Sequence, residues 1–98
     1  MISMYVNIKG SVATIKVTGA MRSTQAFVVK DEITSALNVK GCTQVVVDSE
    51  DTTYIDSASI NEFVRIERLV GGDNFSVKNP NEDIYEYLEI NELQYWVK

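Results

Sequence analysis

Apolar and polar residues alternate from the first positions of the chain. Ile2, Met4, Val6 and Ile8 are interleaved with Ser3, Tyr5, Asn7 and Lys9, the period of a half-buried strand. Gly10-Ser11 supplies turn chemistry, and Ala13, Ile15 and Val17 resume the alternation, so the pair predicts a β-hairpin whose second strand ends at Gly19. The period then changes. Ala26, Val29, Ile33, Ala36 and Leu37 fall on one face of a helix, with Ser23 or Thr24 as its cap and Asn38 and Gly41 bracketing its end.

Val45-Val46-Val47 is an unbroken β-branched run of the kind found in strands covered on both faces. An acidic loop, Asp48-Ser49-Glu50-Asp51, and a strand-like Thr52-Thr53-Tyr54-Ile55 follow. A second helix is expected from about Ser57 to Val70, with Ile60, Phe63, Val64, Ile66 and Val70 on its apolar side and Gly71-Gly72 as its stop. Phe75 to Val77 predicts another strand. Asn79-Pro80 predicts a helix entry with Asn as cap, and Ile84, Tyr87 and Leu88 give that helix its buried side. Leu93, Tyr95 and Val97 alternate once more and suggest a last strand. The order is ββαβαβαβ: an α/β domain with helices packed against a sheet and right-handed crossovers between parallel strands.

Composition narrows the function. A chain of 98 residues is one domain, residues 1–98. Its 45% hydrophobic and 23% charged content is that of a folded protein. With no histidine, neither a Ser-His-Asp triad nor a histidine-based metal site can form. There is no glycine-rich phosphate loop. One cysteine, Cys42, excludes an intrachain disulfide, fits a reducing compartment and reads as a small buried residue. Net charge is −5 and the basic residues are scattered, which argues against nucleic acid. No apolar run is long enough to span a bilayer, and Met1 leads straight into a strand pattern. A cytoplasmic location is the expectation, with any membrane association through a partner. The carboxylates Asp48, Glu50, Asp51 and Asp56 leave open a small enzyme with a glycosidase-type or metal-dependent site. Tyr54, Tyr85, Tyr87, Tyr95 and Trp96 read as core or rim packing rather than as a stacking surface.

The stretch "YIDSASINEF", Tyr54 to Phe63, admits two readings. Ser and Asp favour helix starts because their oxygens accept the orphan N–H groups of the first turn, and Ser59-Ile60-Asn61-Glu62 has the S-x-x-E form of a capping box. Taken with Val45-Val46-Val47-Asp48, however, the run Tyr54-Ile55-Asp56-Ser57-Ala58-Ser59-Ile60 resembles the signature of the STAS family, which includes the bacterial anti-anti-sigma factors. The similarity extends over nearly the whole chain, through the hairpin ending at Gly19, the Gly71-Gly72 turn, the Asn79-Pro80 entry and the "YLEINEL" segment.

That resemblance implies a phosphorylation-controlled, partner-switching regulator, not an enzyme. The serine after the motif's Asp, here Ser57, would be phosphorylated by a serine kinase of the histidine-kinase ATPase fold. That kinase is typically the anti-sigma factor bound by the unphosphorylated form. A PPM-type serine phosphatase would restore it. ATP and Mg²⁺ belong to the kinase, and no cofactor or metal is expected on this chain. The implied contact surface is Arg22, Asp56, Ser57, Ala58, Ser59, Ile60 and Asn61, with Asp56 either orienting the serine or capping the helix. Ser59 stands where the family usually has glycine, either as a cap or as a second phosphoacceptor. Arg22 replaces an acid common in the family. The chain stops at Lys98, where family members usually continue into a further helix. Apolar surface near Tyr95 and Trp96 is therefore expected to meet a partner or a second copy in a weak homodimer. The alternative within the family is a scaffold subunit, never phosphorylated, that binds a transport ATPase.

Overall fold

The computed structural model describes residues 3–98; Met1 and Ile2, with the expectations placed on them, lie outside. The strands β1 (Ser3–Lys9) and β2 (Val12–Met21) pair antiparallel in the register Lys9↔Val12 to Ser3↔Thr18. Gly10 turns the chain between them at φ +62°, a left-handed value that costs glycine little. Helix α1 (Ser23–Asn38) follows, then β3 (Gln44–Asp48), β4 (Thr52–Ile55), helix α2 (Ser57–Val70), β5 (Phe75–Lys78) and helix α3 (Glu82–Ile90). Short 3₁₀ turns occupy Gly72–Asn74 and Gln94–Trp96.

The sheet is mixed, in the order β1-β2-β3-β5, with β4 also paired to β2. All pairs but β1–β2 are parallel, as the strand-helix alternation predicts. Helix α1 packs on β1 and β2, helix α2 on β3 and β5, and the two helices pack on each other. Between sheet and helices lie Ala13, Ile15 and Val17 of β2, Val45 and Val47 of β3, Phe75 and Val77 of β5, Val29 and Ile33 of α1, and Phe63 and Ile66 of α2, all buried. Val46 is only half-buried, so the far face of β3 is less covered than its composition predicts. Cys42 is buried as expected.

Four elements differ from the sequence reading. First, β2 does not end at Gly19. It runs on to Met21, and Gly19 adopts φ +93° where the register slips. The glycine allows the strand to bend and continue. The first part of β2 therefore pairs with β3 and its end with β4. Second, α1 is entered from Arg22, not capped by Ser23 or Thr24; the Arg22 N–H donates to Gln25 Oε1 at 3.0 Å. Third, Asn79 is not the cap of α3 but a left-handed residue at φ 57°. Asn81 is the cap, because its side chain does two jobs. Oδ1 accepts from the Ile84 N–H at 2.8 Å, and Nδ2 donates to the Thr52 carbonyl at 2.9 Å.

Fourth, the last strand is not a strand. Its pairing is reduced to a single parallel bridge, Val77↔Val97. The inward residues are spaced by three: the Trp96 N–H donates to the Leu93 carbonyl at 3.0 Å, and the eclipsed turn sends Trp96 into the core while Tyr95 stays outside. Trp96 is 0% exposed and lies edge-on to Phe75 at 4.9 Å and to Phe63 at 6.4 Å. The expectation of an uncovered surface at Trp96 is therefore overturned. Tyr87 is half-buried, and Tyr54, Tyr85 and Tyr95 stand on the rim.

Candidate functional site

Two strand-to-helix turns lie side by side. β2 runs through Met21 and Arg22 into α1, and β4 runs through Ile55 and Asp56 into α2. The pairings Ala20↔Tyr54 and Met21↔Ile55 bring the first residues of both helices together. The Asp56 N–H donates to the Met21 carbonyl at 3.1 Å.

The Asp56 carboxylate serves both helices. Oδ1 accepts from the Ser59 N–H at 2.9 Å, which caps α2, and Oδ2 accepts from the Ser23 N–H at 3.0 Å, in the first turn of α1. The Ser59 hydroxyl lies 2.9 Å from Asp56 Oδ1 and 3.1 Å from the Met21 carbonyl. Its single hydrogen can go to either acceptor. The expected capping box from Ser59 to Glu62 is thus absent. The helix starts at Ser57, so Ser59 occupies its third position and receives the cap from Asp56. Glu62 instead holds Arg65, with a shortest N···O distance of 2.6 Å.

Partial burial works to raise the Asp56 pKa. The Ser59 N–H and hydroxyl, the Ser23 N–H and the Arg22 charge prevail and hold it below the usual carboxylate range. A carboxyl depressed on folding contributes stability that is present above its ordinary pKa of about 3.9 and is lost as pH falls through the lower folded value. Asp56→Ala is expected to cost about 1–2 kcal/mol, read as a fall in Tm of roughly 4–8 °C per kcal/mol. The gap between wild type and Asp56→Asn should narrow below about pH 4. A thermal melt of Asp56→Ala that matches wild type at neutral pH would show that the double cap carries no weight.

The structure separates the sequence-predicted contact residues into two groups. Arg22, Ser57, Ala58 and Asn61 are exposed, and Asp56 is half-buried. Ser59 and Ile60 are 0% and 6% exposed; they face the interior and offer a partner nothing. A buried hydroxyl with two acceptors is a packing group, which leaves Ser57 as the accessible hydroxyl of this turn. The Arg22 guanidinium carbon lies 4.8 Å from the centre of the Tyr54 ring, a cation–π contact.

One residue escaped the sequence reading. Phe27 is 70% exposed and lines a groove of about 420 Å³ between α1 and α2 together with Ser23, Lys30, Ala58 and Asn61. Its signal was an aromatic residue out of phase with the apolar stripe of Ala26, Val29 and Ile33.

The acidic loop is bound to its surroundings. Lys16 Nζ lies 3.4 Å from Asp48 and 3.5 Å from Asp51. The Ser49 hydroxyl donates to the Lys78 carbonyl and the Thr52 hydroxyl to the Val17 carbonyl, each at 2.9 Å. Asp56 is turned away to the two helices. Among the described residues no group of three or more His, Cys, Asp or Glu side chains is placed to hold a metal ion. No described helix is long and apolar enough to cross a membrane.

No protein-family model matches the chain, and no curated protein matches it. Solved structures do. The anti-sigma factor antagonist SpoIIAA in its unphosphorylated form superposes with a TM-score of 0.85 at 13% identity, over 98% of this chain and 86% of that one. The Bacillus cell fate determinant SpoIIAA in its phosphorylated form gives 0.77 at 13% identity, over 98% and 89%. An anti-sigma factor antagonist from Mycobacterium paratuberculosis gives 0.78 at 15% identity, over 99% and 83%. The chain has the fold of these proteins, a mixed five-stranded sheet with three helices.

Proposed function

We propose that this chain is a partner-switching regulator of the anti-sigma factor antagonist type. In its unphosphorylated form it binds a regulator of the histidine-kinase ATPase fold, typically an anti-sigma factor that is also its kinase. The γ-phosphoryl group of ATP passes to Ser57 Oγ, the hydroxyl proton goes to a base of the kinase, and ADP leaves with the kinase. A PPM-type phosphatase returns the serine by hydrolysis, in which water attacks the phosphorus and inorganic phosphate leaves. ATP and Mg²⁺ are the kinase's ligands.

The observation that carries this reading is the position of Ser57. It is the exposed first residue of α2, next to a carboxylate that ties both helix starts together. The exposed Arg22 lies on the adjoining turn, and Ala58 and Asn61 of the same helix line the groove with Phe27. A turn held by hydrogen bonds at both helix starts offers an exposed serine to a kinase without unfolding. At a helix N-terminus the backbone favours an added anion, so the fold survives modification. At a contact surface the same group adds about −1.5 to −2 charges, which the partner must desolvate or leave.

Mass spectrometry of the protein from its native cell tests the reading. A phosphate on Ser57 is expected. Ser57 unmodified under every condition, with an ATPase bound throughout, would replace the switch by a constitutive scaffold that supports a transport ATPase.

A further inference from the structure

We propose that Arg22 receives the phosphate of a phosphorylated Ser57 and gives up its contact with the Tyr54 ring to do so. The inference rests on the switch reading above and names its internal receiver.

The two turns are tied residue to residue. The neighbour of Arg22, Ser23, donates to the neighbour of Ser57, Asp56, at 3.0 Å. Arg22 and Ser57 therefore flank one hydrogen bond, and both are exposed. The Arg22 charge already acts on the Asp56 carboxyl, so the guanidinium lies within electrostatic reach of the residue that precedes Ser57. Two cations near the sheet and helices are held by carboxylates, Lys16 by Asp48 and Asp51 and Arg65 by Glu62. Arg22 rests instead on a tyrosine face. Tyr54 is 46% exposed, and a cation–π contact at such a site is weak. A phosphate dianion offers a guanidinium two parallel charge-assisted hydrogen bonds. Arginine should therefore exchange the ring for the phosphate. Phosphorylation then changes two surfaces at once: it covers the Arg22 charge and uncovers the Tyr54 ring.

The test installs phosphoserine at position 57 of the full chain during synthesis, so it does not depend on any kinase. Phosphorus NMR follows the second ionisation of the phosphate against pH in wild type, Arg22→Ala and Arg22→Lys. The charged and titratable groups of the adjoining elements are Arg22, Asp56 and Tyr54 on the two turns, and Lys30 of α1 with Glu62 and Arg65 of α2, which line the groove beside Ala58. In wild type the apparent pKa should lie about half a unit below that of Arg22→Ala, and Arg22→Lys should recover part of the difference. The Arg22 side-chain protons should lose the ring-current shift of Tyr54 on phosphorylation. An unchanged pKa in Arg22→Ala, with the ring-current shift retained in phosphorylated wild type, overturns the proposal. Amide spectra of the unphosphorylated variants report whether they fold; if Arg22→Ala does not, Arg22→Gln takes its place. Absence of phosphate from the native protein would sink the switch reading and leave this titration as it stands, so the two failures are distinguishable.

Discussion

Trp96→Ala is expected to destabilise the domain by about 3–5 kcal/mol, read as a lower urea midpoint with an unchanged slope. Trp96 is fully buried and stands edge-on to Phe75 of β5 and Phe63 of α2, a geometry that adds to the area it buries. Total stability for a domain is about 5–15 kcal/mol, so one truncation removes a large share of it. Tyr95→Ala, one residue earlier and half exposed, should cost far less. The sequence-level alternative makes the opposite forecast. If Trp96 lay on an uncovered surface, its loss would stay within about 0.5 kcal/mol. Equal midpoints for Trp96→Ala and Tyr95→Ala would remove the C-terminal turn from the core.

Ser57→Asp should separate binding from folding. Against the ATPase-fold partner, measured by calorimetry, affinity is expected to fall by about 30-fold or more, the lower end of the cost of an unpaired buried charge. The melting temperature should stay within about 3 °C of wild type. An acid at the first position of α2 suits the helix dipole, and the structure places no acidic residue in that first turn. The domain therefore has no reason to unfold. Ser57→Ala should keep the affinity and remove the response to the kinase. If Ser57→Asp binds as well as wild type, the switch is wrong. If it melts well below wild type, the loss of binding says nothing particular about the serine.

The separation of Ser57 from Ser59 shows how far local pattern goes. Both serines suit a helix start, and S-x-x-E at Ser59 satisfies the rule for a capping box. The rule cannot choose between competing caps. Asp56 prevails because its two oxygens reach two helices, and the second helix begins 33 residues earlier in the chain. The same blindness explains Asn79 and Asn81. Either could cap α3, and the choice falls on Asn81 because its amide also meets Thr52 across the fold. Arg22 entered as a contact-surface cation through the family resemblance, but its seat on Tyr54 depends on the pairing of β2 with β4, which Gly19 makes possible by letting β2 continue.

Periodicity alone determined the class of this domain. The hairpin, the three helices, the β-branched central strand and their alternation are local signals, set by which side chains must leave water. The motif at Asp56-Ser57 was likewise written in the chain. Tertiary structure decided which hydroxyl remains accessible, where the last tryptophan goes, and what holds the two helix starts together. Those outcomes turn on hydrogen bonds and ring contacts between residues far apart in sequence, and a local pattern does not contain the partner.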